Sequence, residues 1–273
     1  MILTNSNSGH IIMARGLLFW KGCVEMPKFN SKTWAHRGAS AYAPDNSMPA
    51  FELAVKMNAD GIEIDTHLTK DGVPVLCHDD IIDNVSDGSG RVRDYSLEEL
   101  RKFNFNRHFP HLGKVGIVTL EELYVFAKRS GIYINTEIKY YDNEKWEELN
   151  WAALKIAKKT GMEDSIIYSS FNHQYLSELK KKLPSTKIGL LYSEYIEAPW
   201  DVAKKYNADA LHPWHERLYE QNMVEECHKS GVMVNPWTID VETDIRKAIK
   251  IGADAIITNK PDVTLNIINE LNR

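Results

Sequence analysis

The chain has 273 residues, 43% of them hydrophobic, and a net charge of −5 from 38 acidic against 33 basic side chains. That is apolar material for one large α/β domain or two small ones, and the charge leaves no basic footprint for nucleic acid or an anionic membrane. Three widely spaced cysteines (Cys23, Cys77 and Cys227) form neither a CxxC pair nor a disulfide framework, so the expected setting is the reducing cytoplasm.

Residues 1–29 read as a loosely attached N-terminal extension, with Met13 and Met26 as alternative starts. Its apolar stretch, "HIIMARGLLFWKGCVEM", is interrupted by Arg15 and is too short to span a membrane. It also lacks the basic start and small-residue cleavage site of a signal peptide, although an exported form stays open as the alternative. Residues 30–273 are expected to form one domain. There, short β-rich runs alternate with amphipathic helical stretches: "TWAHRG", "DGIEIDTHL", "VPVLCHD", "IYINTEIKY", "SIIYSSF", "KIGLLY", "ADALHPW", "VMVNPW" and "DAIITN". Helical stretches between them, such as "SMPAFELAVKMN" and "DIRKAIKIG", end in Gly or Asn, as helix C-termini do.

Strands alternating with helices predict a parallel sheet covered by helices. Eight such units in about 240 residues predict a TIM (β/α)8 barrel. There are nine runs rather than eight, and only "TKDG" separates the second from the third, which is too short for a helical crossover. Either one run is an accessory strand or that pair departs from regular βα alternation. An insertion at about residues 79–118, rich in turn residues, follows an early strand and is expected over the active face. Capping boxes at Ser96/Glu99 and Thr119/Glu122 mark two helix starts around it.

Side chains alternate along a strand. In "GIEIDTHL", Glu63 and Asp65 therefore share a face opposite Ile62 and Ile64, and in "IYINTEIKY" Asn135, Glu137 and Lys139 share another. A single carboxylate on a strand is usually solvent-facing, but three on strands that otherwise look buried need a cation or hydrogen bonds. An all-oxygen donor set suits Mg²⁺ or Ca²⁺. His36 and His78 end two other strands and can serve as acid and base. Arg37 and Lys139 can stabilise an anionic phosphoryl group, so the constellation points to phosphate ester chemistry.

From "HRGASAYAPDNSMPAFELAVKMNADGIEIDTHLTKDGVPVLCHD" through "NTEIK" to "GADAIITNKPD", about residues 33–263, the chain resembles the glycerophosphodiester phosphodiesterases. The resemblance implies a TIM barrel that hydrolyses glycerophosphodiesters to glycerol 3-phosphate and an alcohol with a divalent cation, commonly Mg²⁺ or Ca²⁺. It implies His36 and His78 as the acid–base pair, and Glu63, Asp65 and Glu137 as metal ligands. Arg37 and Lys139 would contact the phosphate, with Trp237 lining the substrate pocket or packing in the core. Attack by the neighbouring glycerol hydroxyl through a cyclic phosphate is one route, and direct attack by water the other. Two departures stand out: "PDNS" replaces "PENT", and Asn259 in "TNKPD" replaces the usual acid of "TD.P". His212, Trp214 and His215 are expected along the substrate lining. The competing readings are a lysophospholipase D acting on lysolipids and a non-catalytic binding protein. The expected partner is a small-molecule substrate; oligomeric state is not legible in the sequence.

Overall fold

The computed structural model describes residues 28–140, 146–220 and 222–273. The segment 1–27, with most of the expected extension and Cys23, lies outside the described residues. Phe29, just beyond it, exchanges two hydrogen bonds with the Asn272 side chain, so the domain's two ends are tied together.

All nine β-rich runs form strands: β1 (Lys32–His36), β2 (Gly61–Leu68), β3 (Pro74–Leu76), β4 (Tyr133–Ile138), β5 (Ile166–Ser170), β6 (Lys187–Tyr192), β7 (Ala210–Pro213), β8 (Met233–Val234) and β9 (Ala255–Thr258). Eight of them run parallel in the order β8-β7-β6-β5-β4-β2-β1-β9. The β8–β9 seam is bridged by backbone hydrogen bonds from Asp254 N–H to the Val234 carbonyl (2.9 Å) and from Ile257 N–H to the Pro236 carbonyl (3.1 Å). The ninth run is the accessory one. β3 folds back antiparallel on β2, pairing Thr66 with Leu76 and Leu68 with Pro74, because the five-residue connection 69–73 can reverse the chain but cannot carry it back for a parallel crossover.

The helices are α1 (Met48–Lys56), α2 (Leu97–Leu100), α3 (Leu120–Ser130), α4 (Trp146–Thr160), α5 (His173–Lys182), α6 (Pro199–Tyr206), α7 (Met223–Lys229), α8 (Glu242–Ile251) and α9 (Pro261–Leu271). Both predicted capping boxes are formed, Ser96 with Glu99 on α2 and Thr119 with Glu122 on α3. Among the described residues no helix is long and apolar enough to cross a membrane. At the amino ends of the strands, Asp60, Asp209 and Asp254 accept from the backbone N–H of Thr33, Ile188 and Val234 at 2.9, 2.8 and 2.7 Å. Each such carboxylate ties the loop before one strand to the second residue of its neighbour.

The main core lies between helices and barrel, with Phe51, Ile62, Ile64, Ile134, Leu190 and Ile256 among its buried members. A smaller core of Val75, Cys77, Ile82, Val92, Leu100, Phe105 and Ile117 gives the loop region after β3 its own packing. Inside the barrel, Trp34, Ile167, Ala210, Ala255 and Ile257 fill the lower part. Above them sits His212, fully buried, with its ring nitrogens 3.4 Å from the Asn135 amide and 3.1 Å from the Asn235 amide. His212 is therefore an interior residue and not part of the substrate lining. Gly189 makes room for it, since a Cβ there would stand 2.5 Å from its Nε2.

Candidate active site

The carboxyl ends of β1, β2 and β4 meet at the top of the barrel, and their register aligns the polar faces read from the sequence. His36 lies opposite Glu63, and Asp65 lies opposite Glu137. The strand turns immediately after His36. Arg37 has a left-handed backbone (φ +57°) and Gly38 follows at φ +86°, a region that an unbranched polar residue tolerates and glycine adopts freely. A Cβ on Gly38 would lie 2.7 Å from the Ala50 Cβ of α1, so glycine is also needed for the helix to approach. This turn lets neighbouring residues His36 and Arg37 both face the site.

Oxygens of Glu63, Asp65 and Glu137 lie within 4.8 Å of one another, and all three residues are buried. Lys139 Nζ is 2.8 Å from Asp65 Oδ1 and 2.8 Å from Glu137 Oε1. Arg37 Nε is 3.1 Å from Asp65 Oδ2, and its Nη1 is 3.5 Å from Asp45. Asp65 also accepts from Asn46 Nδ2 at 2.9 Å, while its own N–H donates to Asn46 Oδ1 at 3.2 Å. Burial alone would raise the Asp65 pKa, but Lys139 and then Arg37 hold it well below the usual carboxylate range. Glu63 goes the other way. Burial and then the neighbouring Asp65 and Glu137 carboxylates push it well above its ordinary value. Burial likewise raises Glu137, against the pull of Lys139.

Three carboxylates thus face two fixed cations, and the uncompensated negative charge collects at Glu63. A divalent cation fits this donor set: hard, close-set, anionic oxygens with an electrostatic deficit to fill.

His36 Nε2 lies 3.8 Å from Glu63 Oε2 and its Nδ1 is 2.7 Å from Asn259 Oδ1. Burial and then the Arg37 charge lower its pKa to about 4. His78 follows β3 in the short chain stretch beside Asp79, whose carboxylate is 2.7 Å from its Nδ1. Burial lowers the His78 pKa as well, and Asp65 opposes that shift. His78, Arg37, Asp45, His108 and Asn259 line a cavity of about 460 Å³. On its other side, Glu137, Lys139, Phe171 and Glu194 line a second cavity of about 550 Å³. A further cavity, about 1040 Å³, lies outside the barrel against α1, α3 and α4, and none of these groups lines it.

His36, Arg37, Glu63, Asp65, His78, Glu137 and Lys139 therefore converge on one rim. Trp237 sits at the edge of the barrel interior: its Nε1 donates to the His212 carbonyl at 2.8 Å, and Phe171 meets it edge-on at 5.7 Å. It is half-buried over the interior, beside Phe171 of the cleft lining. Asn46, Asp79 and Asp240 were not singled out from the sequence. Asn46 sits within the "PDNS" match, and its left-handed backbone (φ +52°) turns its amide onto Asp65.

An eight-stranded parallel barrel with two histidines, three clustered carboxylates and two fixed cations at its carboxyl rim is the framework of a phosphate ester hydrolase. Residues 36–263 match the model of the Glycerophosphoryl diester phosphodiesterase family, and the chain belongs to that family of enzymes. A glycerophosphodiester phosphodiesterase of Caldanaerobacter subterraneus subsp. tengcongensis is 37% identical over 86% of this chain and 97% of its own length. One from Bacillus altitudinis is 31% identical, over 88% of this chain and 99% of its own. Among solved structures, a phosphodiesterase of Oleispira antarctica in complex with the product sn-glycerol-3-phosphate superposes with a TM-score of 0.82. It is 27% identical and covers 88% of this chain and 98% of its own.

Proposed function

We propose that this chain hydrolyses glycerophosphodiesters, such as glycerophosphocholine and glycerophosphoethanolamine, to sn-glycerol 3-phosphate and the free alcohol. The observation that carries the proposal is the convergence of His36, His78, the three carboxylates and the two cations on one rim, in a chain whose relatives carry that activity in their names. Glu63, Asp65 and Glu137 would hold Mg²⁺ or Ca²⁺, which when bound supplies positive charge to the phosphoryl oxygens. Arg37 and Lys139 add fixed positive charge beside the same group and, through Asp65 and Glu137, keep the ligand carboxylates in place.

The two histidines divide the proton work. One accepts the proton of the attacking hydroxyl, and the other delivers one to the oxygen of the departing alcohol, so no unstabilised alkoxide leaves. Burial lowers the His36 pKa to about 4, which suits that ring to accept a proton, and Asp79 beside His78 Nδ1 stabilises the charged form from which His78 delivers one.

The test is release of glycerol 3-phosphate from glycerophosphocholine by the purified chain, with Mg²⁺ or Ca²⁺ and with EDTA. Activity abolished by EDTA and restored by one of these cations is expected. No release with any cation would overturn the reading, and a Glu63→Ala variant working at the wild-type rate would overturn the metal assignment. His36→Ala and His78→Ala should each lower kcat by about 10²–10⁴-fold.

A further inference from the structure

The rim where β9 meets β1 carries a hydrogen-bond chain that none of the roles above uses. Asp240, in the loop after β8, accepts from Thr258 Oγ1 (2.9 Å), from the Asn259 backbone N–H (2.8 Å) and from Asn259 Nδ2 (2.5 Å). An ionised carboxylate only accepts, so the edge of the Asn259 amide turned towards Asp240 is its NH₂. The amide oxygen then faces the opposite way, where it lies 2.7 Å from His36 Nδ1 and 2.7 Å from Ser40 Oγ. That oxygen also only accepts, so His36 Nδ1 carries a proton. In the neutral ring the lone pair is left on Nε2, the nitrogen on the Glu63 side of the site. The Ser40 hydroxyl is equally close to the His36 carbonyl, and its one proton can serve either oxygen without reversing the order of donors.

We propose that Asp240 and Asn259 are positioning residues: Asp240 orients the Asn259 amide, and the amide holds His36 in the Nδ1–H tautomer with Nε2 presented to the reacting phosphodiester. The proposal rests on the reading of His36 as a proton-transfer residue, in which Nε2 is the nitrogen that exchanges the proton. The fold makes the chain rigid. β9 pairs with β1 beside His36, matching Thr258 with Ala35, and Ile239 N–H donates to the Ile257 carbonyl, which seats the Asp240 loop on the same strand. The acid that the family pattern carries at position 259 is here one link further from the ring, at 240.

The chain also works with its polarity exchanged, because an aspartate at 259 can accept from His36 and from an asparagine amide at 240. With asparagine at both positions it does not. The amide introduced at position 240 would keep its oxygen on the Thr258 and Asn259 donors and turn an NH₂ towards Asn259, whose own amide must then flip and offer its NH₂ to the imidazole.

The test uses the full chain loaded with Mg²⁺, in wild-type form and as Asp240→Asn and Asp240→Asn/Asn259→Asp. Imidazole ¹⁵N spectra read the His36 tautomer, its signals assigned by their absence in His36→Gln, alongside steady-state kinetics and a thermal melt. Wild type and the double exchange should show the Nδ1–H ring. Asp240→Asn should show Nε2–H, with kcat lowered by about 10²–10⁴-fold and KM changed by less than about threefold; the double exchange should recover most of that loss. An Nε2–H ring in the wild type, or an unchanged tautomer in a folded Asp240→Asn, overturns the proposal, and the wild-type spectrum decides alone should a variant not fold. A switched tautomer with unchanged turnover upholds the hydrogen-bond chain and overturns the catalytic role of His36, so the two failures are distinguishable.

Discussion

Acid should weaken this barrel through one interior imidazole. His212 has no solvent exposure and, among the described residues, no charged partner; its ring nitrogens face the Asn135 and Asn235 amides. An ordinary histidine titrates at 6.5, and burial lowers His212 to about 3. Between those two pH values the unfolded chain binds a proton at this ring that the folded chain refuses, so stability falls as pH falls through that window and is fully present above it. At about 1.4 kcal/mol per pH unit the full loss approaches ~5 kcal/mol near pH 3, of which roughly 2 kcal/mol has gone by pH 5. The measurement is urea unfolding at pH 8, 6 and 5 in EDTA, comparing wild type with His212→Gln, which keeps a polar side chain but cannot titrate. Carboxylates and His36 contribute alike to both proteins, so they cancel in the difference. The gap between the two should change by about 2 kcal/mol from pH 8 to pH 5, and parallel pH curves would refute the reasoning.

Two further outcomes follow from the same packing. Lys139→Met leaves the buried Asp65 and Glu137 carboxylates without their shared cation, so stability in EDTA should drop by about 3–5 kcal/mol. Mg²⁺ or Ca²⁺ should then raise the melting temperature more in the variant than in wild type; an equal rise in both would mean that the lysine does not compete with the metal for charge. Gly189→Ala sets a methyl against the His212 ring, 2.5 Å from Nε2, and should cost about 1–3 kcal/mol in urea unfolding. In an open strand the same substitution would gain stability, so a neutral or stabilising result would show that the ring has room to move.

Much of this protein is legible in one dimension. A period-two alternation settles which residues share a strand face, and that is a local steric property, so Glu63 with Asp65 and Glu137 with Lys139 could be grouped before any fold was known. The capping boxes at Ser96 and Thr119 and the glycine turn after His36 are equally local. What alternation leaves open is which face of one strand meets which face of another, because that depends on register and on ring closure between distant segments. Only the folded barrel shows β3 turning back on β2, and Lys139 shared by Asp65 on one strand and Glu137 on the next. Only closure moves His212 from an expected substrate wall into the interior, since its ring meets Asn135, one inward-facing position before Glu137 on β4. And only the pairing of the first strand with the last brings Asn259 to His36 across 223 positions of chain. No spacing in the sequence could have placed an aspartate, an amide and an imidazole in one line, because a contact of that kind is a property of the closed ring and not of any segment in it.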